Sequence, residues 1–228
     1  MVGKIRTAPR KAPAQERSRV MVEAILTATA RVLLRVGYDR CSTNLVAREA
    51  GVSVGSLYQY FPSKEAVVVA LAEREMAAVE AELTPRMAAL ADAPLEDLAG
   101  EMLEAMVAIY RRNPRLQRVL LEEVPRIGAL ERLESLNARF ERMVTDWLEA
   151  NRSRVEVDEP SLVAWGLVTA IAAITHRALR ERPELLASGR LEEQVLRLAL
   201  SYVAPSLVAR ARRERRPLGK LPRARPAP

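Results

Sequence analysis

The chain has 228 residues, enough for one or two compact domains, and its 49% hydrophobic content is that of a globular protein with a sizeable core. No run approaches eighteen uninterrupted apolar residues, no apolar stretch follows the basic N-terminus, and Cys41 is the only cysteine. A membrane span, a secretory leader, a disulfide and a cysteine-based zinc site are therefore not expected, and a cytoplasmic protein is. The net charge of +7 is unevenly placed: +4 over residues 1–17, +3 over 18–64 and +6 over 211–228, which leaves −6 for 65–210. Basic ends on an acidic middle point to a polyanionic partner for part of the molecule, with improved solubility as the alternative role of the C-terminal tail.

In chain order, residues 1–17, with Pro9, Pro13 and scattered basic groups, read as a disordered arm. From Ser18 to Val36 the apolar residues Ile25, Ala28, Val32 and Val36 recur at helical spacing, and Gly37 stops the helix. A second helix is expected over Thr43–Ala50 and a third over Val54–Tyr60. In "FPSKE" a fourth begins, with Ser63 as N-cap and Glu65 in its first turn, and stays free of Gly and Pro to Thr84. Helices follow at Leu95–Arg112, between Pro114 and Pro125, at Ala129–Asn151, from Pro160 to before Pro183, and at Leu191–Ala209 through Pro205. Residues 211–228 are expected to form a disordered basic tail. No alternating strand pattern and no fixed repeat appears, so the fold class is all-α, about nine helices in a small head (18–64) and a larger body (65–210).

Within the head, "NLVAREAGVSVGSLYQYF" has the spacing of a helix-turn-helix. Ala47 lies where two helices cross, and a larger side chain would push them apart. Gly51, four residues on, is suited to the left-handed conformation that ends the first helix. Val52 and Leu57 point inward, and Ser53, counted with the DNA-facing set, caps the next helix. Val54, Gly55, Ser56, Tyr58 and Gln59 are left facing outward, small or hydrogen-bonding groups able to approach a groove closely.

The segment from about Arg19 to Leu71, above all "GVSVGSLYQYFPSKEA", resembles the TetR/AcrR family of transcriptional regulators. The resemblance implies a three-helix DNA-binding head joined by a fourth helix to a helical body that binds a small effector and dimerises, and a repressor released from a palindromic operator. By the same resemblance, Thr43, Tyr58 and Lys64 hold phosphates, the last at a helix N-terminus. Val54, Gly55, Ser56 and Gln59 face bases, Asn44 reaches a neighbouring base, and Tyr60 contacts phosphate or packs inward. Gln59 departs from the aromatic or histidine often found there, and as an amide it is able to pair with adenine.

In the body, "SLVAWGLVTAIAAITHRALRE" carries Gly166, Ala170 and Ala173 along one side. Paired with "LEEQVLRLALSYV" it would form the family's four-helix dimer interface; the alternative is a core helix within one chain. Trp165, Thr169, Ala172 and His176 on another side, Phe140, Met143 and Trp147 before them, and Met102, Met106 and Tyr110 earlier would line a cavity for an apolar effector, or would be plain core. His176, the only histidine, reads as structural, since one His cannot make a two-histidine metal site. Glu122 and Glu123 read as solvated carboxylates sooner than as a cation site. Cys41 has no basic cluster beside it to make it redox-active.

No Ser/His/Asp grouping, Glu-x-x-His pair or glycine-rich phosphate loop supports an enzyme, and neither cofactor nor metal is expected. The remaining alternative is a constitutive DNA-binding protein without an effector.

Overall fold

The computed structural model describes residues 16–90, 93–128 and 130–214. The expected disordered arm (1–17) and tail (211–228) lie outside them except for Glu16 and Arg17, which open the first helix, and Ala211 to Glu214. Residues 211–213 are helical with Ala211 buried, a correction to those bounds. The described residues hold eleven helices and no strand: α1 (Glu16–Arg40), α2 (Thr43–Ala50), α3 (Val54–Tyr60), α4 (Lys64–Ala89), α5 (Leu95–Arg112), α6 (Pro114–Arg126), α7 (Leu130–Ala150), α8 (Pro160–Glu181), α9 (Pro183–Ala187), α10 (Arg190–Val203) and α11 (Pro205–Arg213). They fall into two compact units, one of residues up to Ala77 with Arg115–Glu134, the other of Ala78–Pro114 with Ser135 onward.

The first unit is larger than the helix-turn-helix itself. Ile25, Leu33, Val46, Leu57 and Phe61 are buried together with Val68 and Leu71 of α4 and with Leu116, Leu120 and Val124 of α6. The amide of Gln117 donates to Glu75 at 3.2 Å, tying α6 to α4. Gly37 takes φ 75, ψ 173, a conformation open to glycine alone, so regular helix ends at Val36 as expected although the chain coils on to Arg40.

In the second unit the structure goes beyond the sequence reading at three places. The fourth helix, read as free of Gly and Pro to Thr84, continues through Pro85 to Ala89. Arg86, one residue past the proline, pairs with Glu82, Glu101 and Glu104, contacts that help hold the last turn against the lost backbone bond. The last helix is not continuous. Ala204 adopts φ −149, ψ 62, because the residue before a proline is pushed out of the helical region, and Pro205 begins α11 at its favoured first position. Between Pro183 and the left-handed Gly189 lies the short α9, which periodicity over five residues is too brief to reveal.

Among the described residues, α8 is long and apolar enough to cross a membrane by length and composition, yet only a third of its most apolar window is buried in the chain. Its buried stripe is Ala164, Val168 and Thr175. Leu162 and Trp165 are exposed on the adjoining side, as are Leu198 and Tyr202 of α10.

Candidate nucleic-acid interface and effector cavity

Helices α2 and α3 have eight and seven residues, too short to persist without their caps and their burial. Ser42 caps α2, its Oγ accepting from the Leu45 amide at 3.3 Å. Gly51 closes it in the left-handed conformation (φ 70), and the Val52 amide donates back to the Ala47 carbonyl at 3.0 Å. Ser53 opens α3, accepting from the Ser56 amide at 2.9 Å. Ala47 is 1% exposed, and Leu57 is wholly buried beneath the turn. An ion pair from Arg35 to Glu49 (2.8 Å) fixes α2 on α1.

On the outer surface, Asn44, Gly55, Tyr58 and Gln59 are exposed. The hydroxyls of Thr43 and Tyr58 meet at 3.1 Å, bringing together two groups fifteen residues apart that were both expected at phosphates. A Cβ on Gly55 would meet nothing in the chain nearer than the Ser53 hydroxyl at 3.8 Å. The fold therefore does not need a glycine there.

Other expected contacts stand differently. Val54 is half-buried and packs on the head's core, so it is not freely outward. Ser53 and Ser56 bond each other (2.8 Å) at the cap. Tyr60 turns to Ser18, hydroxyl to hydroxyl at 3.2 Å. Lys64 donates to the Tyr38 carbonyl at 3.2 Å and its ammonium lies 3.9 Å from the centre of the Tyr38 ring, a cation–π seat that holds the charge beside the α4 N-terminus. Sequence reading missed Tyr38; an aromatic directly after the glycine that ends α1 was the available signal. Tyr38 also donates to Glu65, and its pKa is raised by burial first and then by that carboxylate. Burial likewise pushes the Cys41 thiol up, with Lys64 opposing.

In the second unit, Met102 and Met106 of α5, Trp147 and Leu148 of α7, Val168 and Ile171 of α8, and Leu196, Leu200 and Val203 of α10 surround a cavity of about 80 Å³. Its lining is almost wholly apolar. Of the residues expected there, Met102, Met106 and Trp147 line it, whereas Tyr110, Phe140, Met143 and His176 do not. Trp165 is 55% exposed and Thr169 is exposed as well. Each stands one residue, about 100°, round α8 from the buried Ala164 and Val168, which turns it outward.

Tyr110 and His176 face each other, hydroxyl to Nε2 at 3.0 Å, with ring planes at 61°. Burial, aided by Arg180, lowers the His176 pKa to about 4, and burial raises that of Tyr110 to about 12, so the pair is neutral at physiological pH. Gly166 lies under the Tyr202 ring, where a Cβ would approach to 3.6 Å; Ala170 is half-buried and Ala173 exposed.

A short capped helix-turn-helix with an exposed polar face defines a DNA-binding protein, here followed by a helical domain with an apolar cavity. Residues 25–71 match the family described as "Bacterial regulatory proteins, tetR family", and residues 94–202 match "Tetracyclin repressor-like, C-terminal domain". The chain belongs to the TetR family and is a DNA-binding transcriptional regulator. Among its relatives is the HTH-type transcriptional repressor KstR of Mycolicibacterium smegmatis, 29% identical over 177 residues that cover 72% of this chain and 81% of that one. Another is the nucleoid occlusion factor SlmA of Haemophilus influenzae, 30% identical over 169 residues, 69% of this chain and 74% of that one. In fold the chain is similar to SmeT, the repressor of the multidrug efflux pump SmeDEF of Stenotrophomonas maltophilia. The TM-score is 0.65 at 21% identity, covering 90% of this chain and 97% of that one.

Proposed function

We propose that this regulator is a homodimeric repressor, held on a twofold operator by its two heads and released when a small, largely apolar molecule enters the body. The observation that carries the ligand-responsive half is the cavity among α5, α7, α8 and α10, whose lining is almost wholly apolar. SmeT, alike in fold, has been solved with triclosan, which accords with this reading. In the head, Gln59, Asn44 and Gly55 read base edges, while Thr43, Tyr58 and Lys64 hold phosphates. The exposed apolar side chains Leu162, Trp165, Leu198 and Tyr202 supply the dimer contact, with Gly166, Ala170 and Ala173 allowing close approach.

Chain continuity supplies the coupling. The cavity of about 80 Å³ is well below the ~150 Å³ that holds benzene, so a larger guest must spread the helices around it. Helix α5 runs through Asn113 directly into α6, whose apolar side is buried in the first unit, and α4 contributes to both units. Displacing either alters the spacing of paired reading helices, which must match major grooves about 34–36 Å apart. The ligand shifts the balance only by its preference for one conformation, and operator DNA must weaken its binding by the same factor.

The test is to find a ligand by thermal shift and titrate it with and without operator. Equal affinity in the two titrations ends the switch for that ligand and favours the alternative, a constitutive DNA-binding protein without an effector. Sedimentation reporting a monomer at micromolar concentration would remove the dimer.

A further inference from the structure

Lys64, a phosphate contact in the proposed function, has its ammonium seated on a single residue 26 positions earlier in the chain. The ammonium donates to the Tyr38 carbonyl at 3.2 Å and lies 3.9 Å from the centre of the Tyr38 ring. That carbonyl also accepts from the Cys41 amide at 3.0 Å, so both of its lone pairs are engaged. The hydroxyl of the same tyrosine donates to Glu65 at 3.3 Å. Tyr38 is therefore the shared partner of two opposite charges that sit side by side in the first turn of α4.

An ammonium has three N–H donors. The carbonyl takes one and the ring face attracts the charge as a whole, which leaves donors for a phosphate. Seating matters because a free lysine chain samples many rotamers, and ordering it on DNA costs entropy that a seated chain has already given up. The seat also lies at a helix N-terminus. Ser63 caps α4 by accepting from the Ala66 amide at 3.2 Å, and the first-turn amides add positive potential beside Lys64. Glu65 works against this, since an ionised carboxylate free to reach the ammonium would neutralise it. The Tyr38 hydroxyl gives that carboxylate another partner. Burial, and next the Glu65 charge, raise the Tyr38 pKa, so the phenol keeps its proton and remains a donor.

We propose that Tyr38 is a positioning residue for DNA binding. Its ring and carbonyl hold the Lys64 ammonium ready at the α4 N-terminus, while its hydroxyl keeps the Glu65 carboxylate from neutralising that charge. Tyr38 itself touches no DNA in this scheme. The inference rests on the phosphate-contact reading of Lys64 and deepens it by assigning the residue that makes the contact effective.

The experiment measures binding of the full-length protein to fluorescein-labelled duplex DNA of random sequence, by anisotropy across a salt series. Random sequence suffices because a phosphate contact carries no sequence information. Lys64→Gln should weaken binding about fivefold or more and make the salt dependence shallower by about one unit. Tyr38→Leu should weaken binding about threefold in the parent and leave the Lys64→Gln protein unchanged. Tyr38→Phe keeps the ring and the carbonyl but releases Glu65, and it should weaken binding about twofold. Adding Glu65→Gln to Tyr38→Phe should restore the parental affinity, a larger gain than Glu65→Gln gives in the parent.

A tyrosine with only a structural role would weaken binding equally with and without Lys64, and that equality overturns the proposal. So does an equal gain from Glu65→Gln in the two backgrounds, or parental affinity in both Tyr38 variants. Where Tyr38→Leu lowers the thermal midpoint too far for binding to be measured, the Tyr38→Phe and Glu65→Gln comparison decides alone. Unchanged affinity and salt dependence in Lys64→Gln remove the phosphate reading and this inference together. A weakened Lys64→Gln protein beside inert Tyr38 variants removes this inference alone.

Discussion

The reading face of the first unit and the cavity of the second solve opposite problems with polar groups. On the reading face the polar groups are at the surface and hold one another in place: Thr43 to Tyr58, Ser53 to Ser56, Lys64 to Tyr38. Losing any one of these bonds to water costs little, so the surface can exchange them for contacts with phosphates and bases at low cost. One turn beyond the cavity lining the polar groups are buried, the Tyr110–His176 pair is held neutral, and Thr175 and Glu192 keep atoms without partners. There each polar atom strongly affects stability, because no water is at hand to replace a missing partner. Polar groups on the exposed face of the head are thus cheap to rearrange, and those buried in the second unit are not.

The comparison is broken most severely by attacking what supports the reading face. Leu57 is wholly buried under the turn, and Leu57→Ala should cost about 2–5 kcal/mol, seen as a lower urea midpoint together with loss of DNA binding. A variant of unchanged midpoint would mean that the caps alone hold α3.

Acid is the corresponding attack on the second unit. The folded His176 takes up its proton only at about pH 4, whereas an unfolded histidine does so near 6.5. The unfolded chain therefore binds the proton over that window. Stability from this residue is full above the unfolded value and is lost as pH falls toward 4, on the order of 3 kcal/mol at most. His176→Gln should flatten that part of the profile when urea midpoints are compared at neutral and mildly acid pH. An unchanged profile would place the acid sensitivity in the carboxylates.

At the reading face itself, Gln59→Ala should lose about 1–3 kcal/mol at particular base pairs, measured by competition among operator variants. Lys64→Ala should instead weaken binding to all sequences alike and make the salt dependence shallower by about one unit. Two mutants that both retain wild-type affinity on a selected operator would exclude this contact map. The smallest effect carries the sharpest contrast. A Cβ at Gly55 makes only an ordinary contact with the Ser53 hydroxyl, so Gly55→Ala should stabilise α3 by roughly 0.5–1 kcal/mol and yet weaken DNA binding if duplex DNA approaches that position closely. Stabilisation without loss of binding would remove Gly55 from the interface.

The sequence alone determined the parts of this protein that depend on neighbours along the chain. Ser42, Gly51 and Ser53 set the ends of α2 and α3 through bonds spanning three to five residues, and Gly37 breaks the regular helix of α1 through its own backbone freedom. The family was legible in that same segment, because its spacing is the geometry of the helix-turn-helix. Only the tertiary structure decided which side of α8 faces inward, since Trp165, Thr169, Val168 and Ile171 suit a core or a partner surface equally by composition. It also decided that Lys64 rests on Tyr38, that α6 is buried with the head, and that Tyr110 meets His176 and Arg111 meets Glu192. Those placements depend on packing between helices distant in the chain, and periodicity says which residues share a face but not what that face meets.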